Sequence, residues 1–269
     1  MSFLVLVLVA LILRFTPWRN GLPVDACGRW SAWLQIRMGN HSEWQRILLL
    51  MLPLLPLAAL LWWVQGMAYG FFSLLLHAAV LLLCVGRSDP LGAMTSALEQ
   101  AWARGDQEAA SLVAERELGI ACDEPNGLLR AVRGRLVWEA CHGYFVPAFW
   151  YLLLGPLGAL GYRLLASASG EKGGLANVLS HSLEWLPNRL LGLSLALVGH
   201  FDATLAVLRR QFARWELSNA ELLEQCTDAA LQDGAPTPEH EGILASVRML
   251  VKRSLLVWAV FIALYAVLG

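Results

Sequence analysis

Apolar positions along this chain gather into runs, and the charged positions gather between them. A helix that crosses a bilayer needs about 20 mostly apolar residues, because the hydrocarbon core is about 30 Å thick. Six runs qualify in whole or part: Ser2–Leu13, Ile47–Val64, Phe71–Val85, Tyr144–Ala168, Leu190–Val198 and Ser254–Leu268. The first is short for a span and is followed by Arg14. A cleaved signal peptide is the rival reading, but that would want a basic start and a small-residue cleavage site, whereas here the positive charges follow the run. An uncleaved anchor is the preferred reading.

The second run holds Pro53 and Pro56. With the third it forms a helical hairpin through the short segment Gln65–Gly70, where Trp62, Trp63 and Tyr69 suit the headgroup region. Gly155-Pro156 breaks the fourth run, and Pro187-Asn188-Arg189 leads into the fifth. Both halves of the stretch from Tyr144 to Val198 read as broken or re-entrant segments, which need shelter because lipid offers no hydrogen-bond partner to freed backbone groups. Lys252-Arg253 precede the last run and can snorkel to the interface.

Between the runs the pattern is helical. Asp106 is placed to cap a helix beginning at Gln107, and Asp123 to cap one with Pro125 in its first turn. After Pro125, Leu128, Leu129, Val132 and Leu136 make one stripe that must pack on a neighbouring helix or a membrane surface. Arg135 and Glu139 are spaced for an i,i+4 pair. Ser218 and Glu221 fit a capping box. Gln232–Pro236 reads as a loop, and Thr237-Pro238-Glu239 restarts a helix that runs into the last span. Strand alternation and internal repeats are absent.

The expected fold is therefore all-α: a polytopic helical membrane protein with helical cytoplasmic segments. Four stretches follow. Residues 1–86 are an N-terminal anchor and helical hairpin, and 87–143 a cytoplasmic helical segment. Residues 144–200 are broken or re-entrant membrane segments, and 201–269 cytoplasmic helices and a C-terminal span.

Composition sharpens this picture. The chain of 269 residues is 57% hydrophobic, above the usual 45–50% or so of a soluble domain. Its 20 basic and 21 acidic residues nearly balance, which argues against nucleic acid as a partner. All the basic residues except Arg163, Lys172 and Arg189 lie in three loops, Arg14–Arg46, Arg87–Gly143 and Phe201–Arg253. The positive-inside rule puts those loops in the cytoplasm, and the chain is expected in a bacterial inner membrane as a multi-pass protein. The five cysteines (Cys27, Cys84, Cys122, Cys141 and Cys226) form no CxxC pair and support neither a disulfide framework nor a metal cluster.

Candidate chemistry is sparse. GxxxxGK[ST], HExxH and GxSxG are all missing. Gly170–Gly174 is Gly-rich without P-loop spacing and reads as a loop. No catalytic residue, metal or cofactor is expected. Leu183–Leu190 puts Glu184, Asn188 and Arg189 at the mouth of an apolar segment, where ionisable groups are costly unless paired or in a polar cavity. Arg189 reads either as an anion contact or, more commonly, as an interface anchor. Arg163 reads equally as lining a cavity or as a plain interfacial helix end. His200 reads either as a pH reporter or ligand contact or, more commonly, as a structural helix-end residue. His77 reads as a helix–helix hydrogen-bonding group. The ligand-contacting set is Arg163, Glu184, Asn188, Arg189 and His200: the arginines offer charge to an anion, and Glu184 orients them.

Several segments, in order, resemble the AmpE family. They are Gly119-Ile120-Ala121-Cys122-Asp123-Glu124, Pro147-Ala148-Phe149-Trp150, Tyr162-Arg163, Leu183-Glu184-Trp185-Leu186-Pro187-Asn188-Arg189-Leu190 and Ala196-Leu197-Val198-Gly199-His200. The likeness covers most of the chain and is most specific from Leu183 to His200. It implies a non-enzymatic membrane sensor or signalling protein linked to β-lactamase induction and cell-wall recycling. The partners would be membrane lipid and a small ligand or protein. The same segment is distantly similar to the cobalamin-pathway synthases that make adenosylcobinamide phosphate. Their Asn-x-x-Pro-Ala-Arg-Leu pattern keeps Pro187, Arg189 and Leu190 here, with Glu184 in place of the Asn. His142 stands where they carry an acidic residue, and their Thr-x-Asp-Ser-Met after Tyr-Arg is replaced by Leu164–Ser169. The alternatives are thus a divergent amide-forming synthase and a structural partner subunit of a membrane complex.

Overall fold

The computed structural model describes residues 2–16, 25–37, 42–64, 70–85, 95–121, 125–169, 174–215, 217–231 and 244–268. Every regular element among them is helical. The turn Gln65–Tyr69, the Asp123 cap, the loops at 170–173 and 232–236 and the restart at Thr237 lie outside the described residues.

Contacts divide the chain into two compact units that interleave in sequence. The first holds Met1–Arg87 and Gly143–Leu186; the second holds Ser88–His142 and Pro187–Gly269. The stretch 144–200 is therefore shared: its part from Pro187 onward packs within the second unit.

In the first unit, α1 (Ser2–Phe15), α5 (Phe71–Cys84) and α9 (Val146–Ala168) pack around Val5, Val9, Leu81 and Tyr151. α2 (Ala26–Arg37), α3 (Glu43–Leu50) and α4 (Leu54–Val64) lie beside α9. Pro53 explains why α3 and α4 are two helices rather than one run, since it offers no amide to continue the ladder. A capping box starts α3. Gln45 N donates to Ser42 Oγ and Ser42 N to Gln45 Oε1, each at 3.4 Å. α2 falls within the stretch Arg14–Arg46, which has no apolar period and reads from sequence as a loop. Tertiary contact holds it: Ser31 Oγ donates to Ser167 O at 3.2 Å, and Leu34 packs with Leu50 and Leu164.

α9 bends at Gly155, which has φ 66° and ψ −157°. Only glycine adopts that conformation readily, so the break expected at Gly155-Pro156 is real. Pro187, by contrast, does not end a helix. α10 runs from Leu175 to Val198 with Pro187 inside it. A proline at that position removes the donor for the carbonyl four residues back, here Leu183, and Trp150 Nε1 donates to that same carbonyl at 3.1 Å. A side chain thus replaces the missing backbone bond.

In the second unit, α8 (Pro125–Ala140) packs on α12 (Asn219–Ala230), and α10, α11 (Phe201–Gln211) and α13 (Ala245–Leu268) complete the core. Leu128, Val132 and Leu136 are buried, so the stripe after Pro125 faces a neighbouring helix. α8 and α12 meet so closely at Gly134 that a Cβ there would lie 2.8 Å from Glu224 Cβ. Arg135 and Glu139 form the expected pair at 2.7 Å. α6 (Ser96–Ala103) is tied to α13 by Arg248, whose two Nη atoms donate to Glu99 at 3.0 and 2.9 Å. Asp106 caps α7 (Gln107–Val113) through Ala109 N at 2.9 Å, as expected. Ser218 occupies the N-cap of α12 but its hydroxyl makes no cap bond, so the expected capping box is not formed.

Among the described residues, two helical stretches are long and apolar enough to cross a membrane, 43–64 and 127–168; Phe3–Leu13 and Phe71–Cys84 are shorter apolar helices. The all-α class stands. Length and composition carry two of the six runs as spans. Leu190–Val198 is not a separate element: it is the last part of α10, flanked by α11 and α12.

Candidate functional site

The five residues singled out in the sequence fall into different units. Arg163 and Glu184 belong to the first; Asn188, Arg189 and His200 belong to the second.

In the first unit, the C-terminal half of α9 and the N-terminal half of α10 carry a buried polar group. Arg163 is 8% exposed and Glu184 5%. Tyr162 Oη donates to Glu184 Oε1 at 3.4 Å. Ser180 lies one turn before Glu184 on α10, so the two share a face. Its hydroxyl is buried and finds no partner among the described residues, and neither does Arg163 Nε. An arginine this deeply buried normally has a counter-charge, because an uncompensated buried ion costs several kcal/mol or so. The Cys27 thiol is raised above its usual range by burial, with the Arg163 guanidinium pulling the other way. Closer to the surface of the same unit, α2, α3 and the start of α10 line a small open cleft of about 60 Å³. Leu34, Ile47 and Leu50 line its apolar side, and Glu43, Arg46 and Asn177 its polar side. Glu43 Oε2 is engaged there, accepting from Leu175 N at 2.8 Å.

In the second unit the polar residues have both side-chain and backbone partners. Asn188 is fully buried, and its Oδ1 accepts from Cys141 Sγ at 2.9 Å. Arg189 is 2% exposed. Its Nε donates to Phe212 O at 3.0 Å, Nη2 to Arg214 O at 3.3 Å and Nη1 to Asn219 Oδ1 at 3.4 Å. The guanidinium therefore binds the turn between α11 and α12 from inside. Cys226 lies near enough for Arg189 to pull on its thiol, though burial dominates and pushes it up to about 12. His200 caps α11: its Nδ1 accepts from Ala203 N at 3.2 Å, and its own amide donates to Ala230 O at 3.1 Å. A backbone amide can only donate, so Nδ1 is the unprotonated nitrogen.

Sequence reading missed Tyr162 as a partner of Glu184, Ser180 in the same buried set, and Trp150 as the donor that repairs α10. The i,i+4 spacing of Ser180 and Glu184 was a usable signal. The pairing of Trp150 with Leu183 had none, because it depends on how α9 lies against α10. Among the described residues no group of three His, Cys, Asp or Glu side chains is placed to hold a metal ion.

Comparison with known proteins gives one consistent direction. A family model described as "Regulatory signalling modulator protein AmpE" matches residues 5–269. The protein AmpE of Shigella flexneri is 28% identical over 225 residues, covering 77% of this chain and 78% of that one. The cobalamin biosynthesis protein CobD of Chromobacterium violaceum is 29% identical over 221 residues, covering 70% and 69%. No solved structure matches.

Proposed function

The chain belongs to the AmpE family of regulatory signalling modulators, and we propose that it is a multi-pass protein of a bacterial inner membrane that links β-lactamase induction to cell-wall recycling. In this reading it senses a small anionic ligand and performs no reaction. The residue in contact with that ligand is Arg163, oriented within the set that includes Glu184, Tyr162 and Ser180. The single observation behind the ligand contact is a nine-tenths buried arginine whose Nε has no hydrogen-bond partner among the described residues. A second observation supports the membrane setting. Large apolar side chains stand exposed along α4, α5 and α13, among them Leu55, Trp62, Phe71, Leu75, Leu256 and Val260. Such patches mark a membrane or partner surface when they are extensive.

The relation to the cobalamin protein favours a second reading, a divergent amide-forming synthase. It requires nucleotide turnover. The third class, a structural subunit, requires no polar cluster. One experiment separates them: thermal stability of the detergent-purified chain against muropeptides, ATP and corrinoid intermediates, since a ligand that binds the folded state raises stability by mass action. A muropeptide shift that disappears in Arg163→Gln supports the sensor. A shift with ATP and a corrinoid, with turnover, replaces it by the synthase. No shift with any of them leaves the structural subunit.

A further inference from the structure

We propose that the segment Arg209–Trp215, at the end of α11, is a docking surface for the anionic headgroups of a phospholipid bilayer, and that buried Arg189 is the positioning residue that holds it in shape. The inference rests on the membrane reading above.

Arg209, Arg210 and Arg214 are all exposed, and Phe212 and Trp215 are each about half exposed. Three cations and two aromatic rings thus stand at the surface within seven residues. No described residue of the segment is acidic; Glu216, the acid that follows in sequence, lies outside the described residues, and Asp202 is at the far end of α11. Exposed aromatic rings are unfavourable in water, but Trp beside cationic side chains suits the boundary where a bilayer meets water. Anionic lipid supplies the complementary charge.

Two features of the same unit favour a membrane over an acidic soluble partner. First, the segment adjoins an apolar stripe. Leu190, Leu193 and Leu197 are exposed on α10 at spacings of three and four, which puts them on one helix face. The hydrogen bonds from Arg189 to the carbonyls of Phe212 and Arg214 place the turn at the Leu190 end of that stripe. An apolar band ending in a rim of arginine and tryptophan is the pattern of a surface seated at a bilayer interface. An acidic soluble partner would need only the rim. Second, the turn is pre-ordered. A loose loop loses conformational freedom when it docks; this one is already fixed through two carbonyls and Asn219.

The test is native mass spectrometry of the detergent-purified full chain with phosphatidylglycerol or phosphatidylcholine added. The wild type should retain phosphatidylglycerol in preference. Each exposed arginine should contribute about fivefold, so the Arg209→Gln/Arg210→Gln/Arg214→Gln variant should lose roughly a hundredfold of that preference. The corresponding triple Lys variant should keep most of it, because the charge is retained. If the triple Gln variant misfolds, the Arg209→Gln/Arg210→Gln pair reads the same effect in smaller measure. Arg189→Met should lower the preference although all three surface arginines remain. An unchanged preference in the triple Gln variant overturns the surface, and an unchanged preference in Arg189→Met overturns its positioning role. Alkaline-washed membranes separate this from failure of the membrane reading. Wild-type chain released by the wash overturns both, whereas chain kept in the pellet with no arginine-dependent preference overturns this inference alone.

Discussion

Pro187 sits inside α10, and its missing amide orphans the carbonyl of Leu183, which accepts instead from Trp150 Nε1 at 3.1 Å. A double-mutant cycle tests this substitution of side chain for backbone. Trp150→Phe keeps an aromatic ring, though a smaller one, and deletes the donor. The orphaned carbonyl then loses this partner, at a cost of about 1–2 kcal/mol for a part-buried acceptor. Pro187→Ala restores an amide four residues on, and alanine is about 3 kcal/mol more favourable than proline in a helix interior. In that background the carbonyl is already satisfied, so Trp150→Phe should cost only the packing lost with the smaller ring, about 1–2 kcal/mol. The coupling between the two sites is therefore expected at roughly 1–2 kcal/mol, within the range seen for residues sharing one partner. Denaturant unfolding in a fixed detergent, followed by far-UV circular dichroism, gives the four midpoints. An equal cost of Trp150→Phe in both backgrounds would refute the argument.

Three further outcomes follow from the geometry. Arg189→Met should destabilise the second unit by about 2–4 kcal/mol, because it removes a buried guanidinium's bonds to Asn219 and to the carbonyls of Phe212 and Arg214. Hydrogen exchange should quicken at 212–219, and a rate equal to wild type there would count against the clamp. Gly155→Ala should cost about 1–3 kcal/mol from backbone strain, since φ is 66° and a Cβ there would meet nothing within 4 Å; a melting temperature at or above wild type would contradict this. Asp228, which pairs with Arg130, has its carboxyl raised above the usual range by burial, against the opposing pull of Arg130 and Arg133. The folded state therefore holds this proton to higher pH than the unfolded state. The contribution is complete below the unfolded value, about 3.9, and is lost as pH rises through the folded one. Asp228→Asn should remove that part of the stability–pH slope; an identical slope in both proteins would dispose of it.

The sequence by itself determined the helical class, because apolar runs, capping residues and i,i+4 pairs are local and a helix satisfies its backbone locally. The Asp106 cap, the Arg135–Glu139 pair, the stripe after Pro125 and the break at Gly155-Pro156 all belong to this layer. Gly155 was legible since Gly-Pro disfavours continued helix whatever surrounds it. Pro187 was misread for the complementary reason: whether a proline ends a helix depends on whether something else serves the orphaned carbonyl, and Trp150 is 33 residues away in sequence. α2 was missed because its stretch has no apolar period and is held by contacts to α9, not by its own pattern. The five polar residues gathered at one broken segment looked like one site. Tertiary structure alone decided what each of them touches: Glu184 accepts from Tyr162, while Asn188, Arg189 and His200 meet thiol, carbonyl and amide partners. Sequence spacing fixes which helix face a side chain occupies. What that face meets is set by packing between distant segments, and there the carbonyls of Phe212 and Arg214 take the guanidinium that the sequence offered to a ligand.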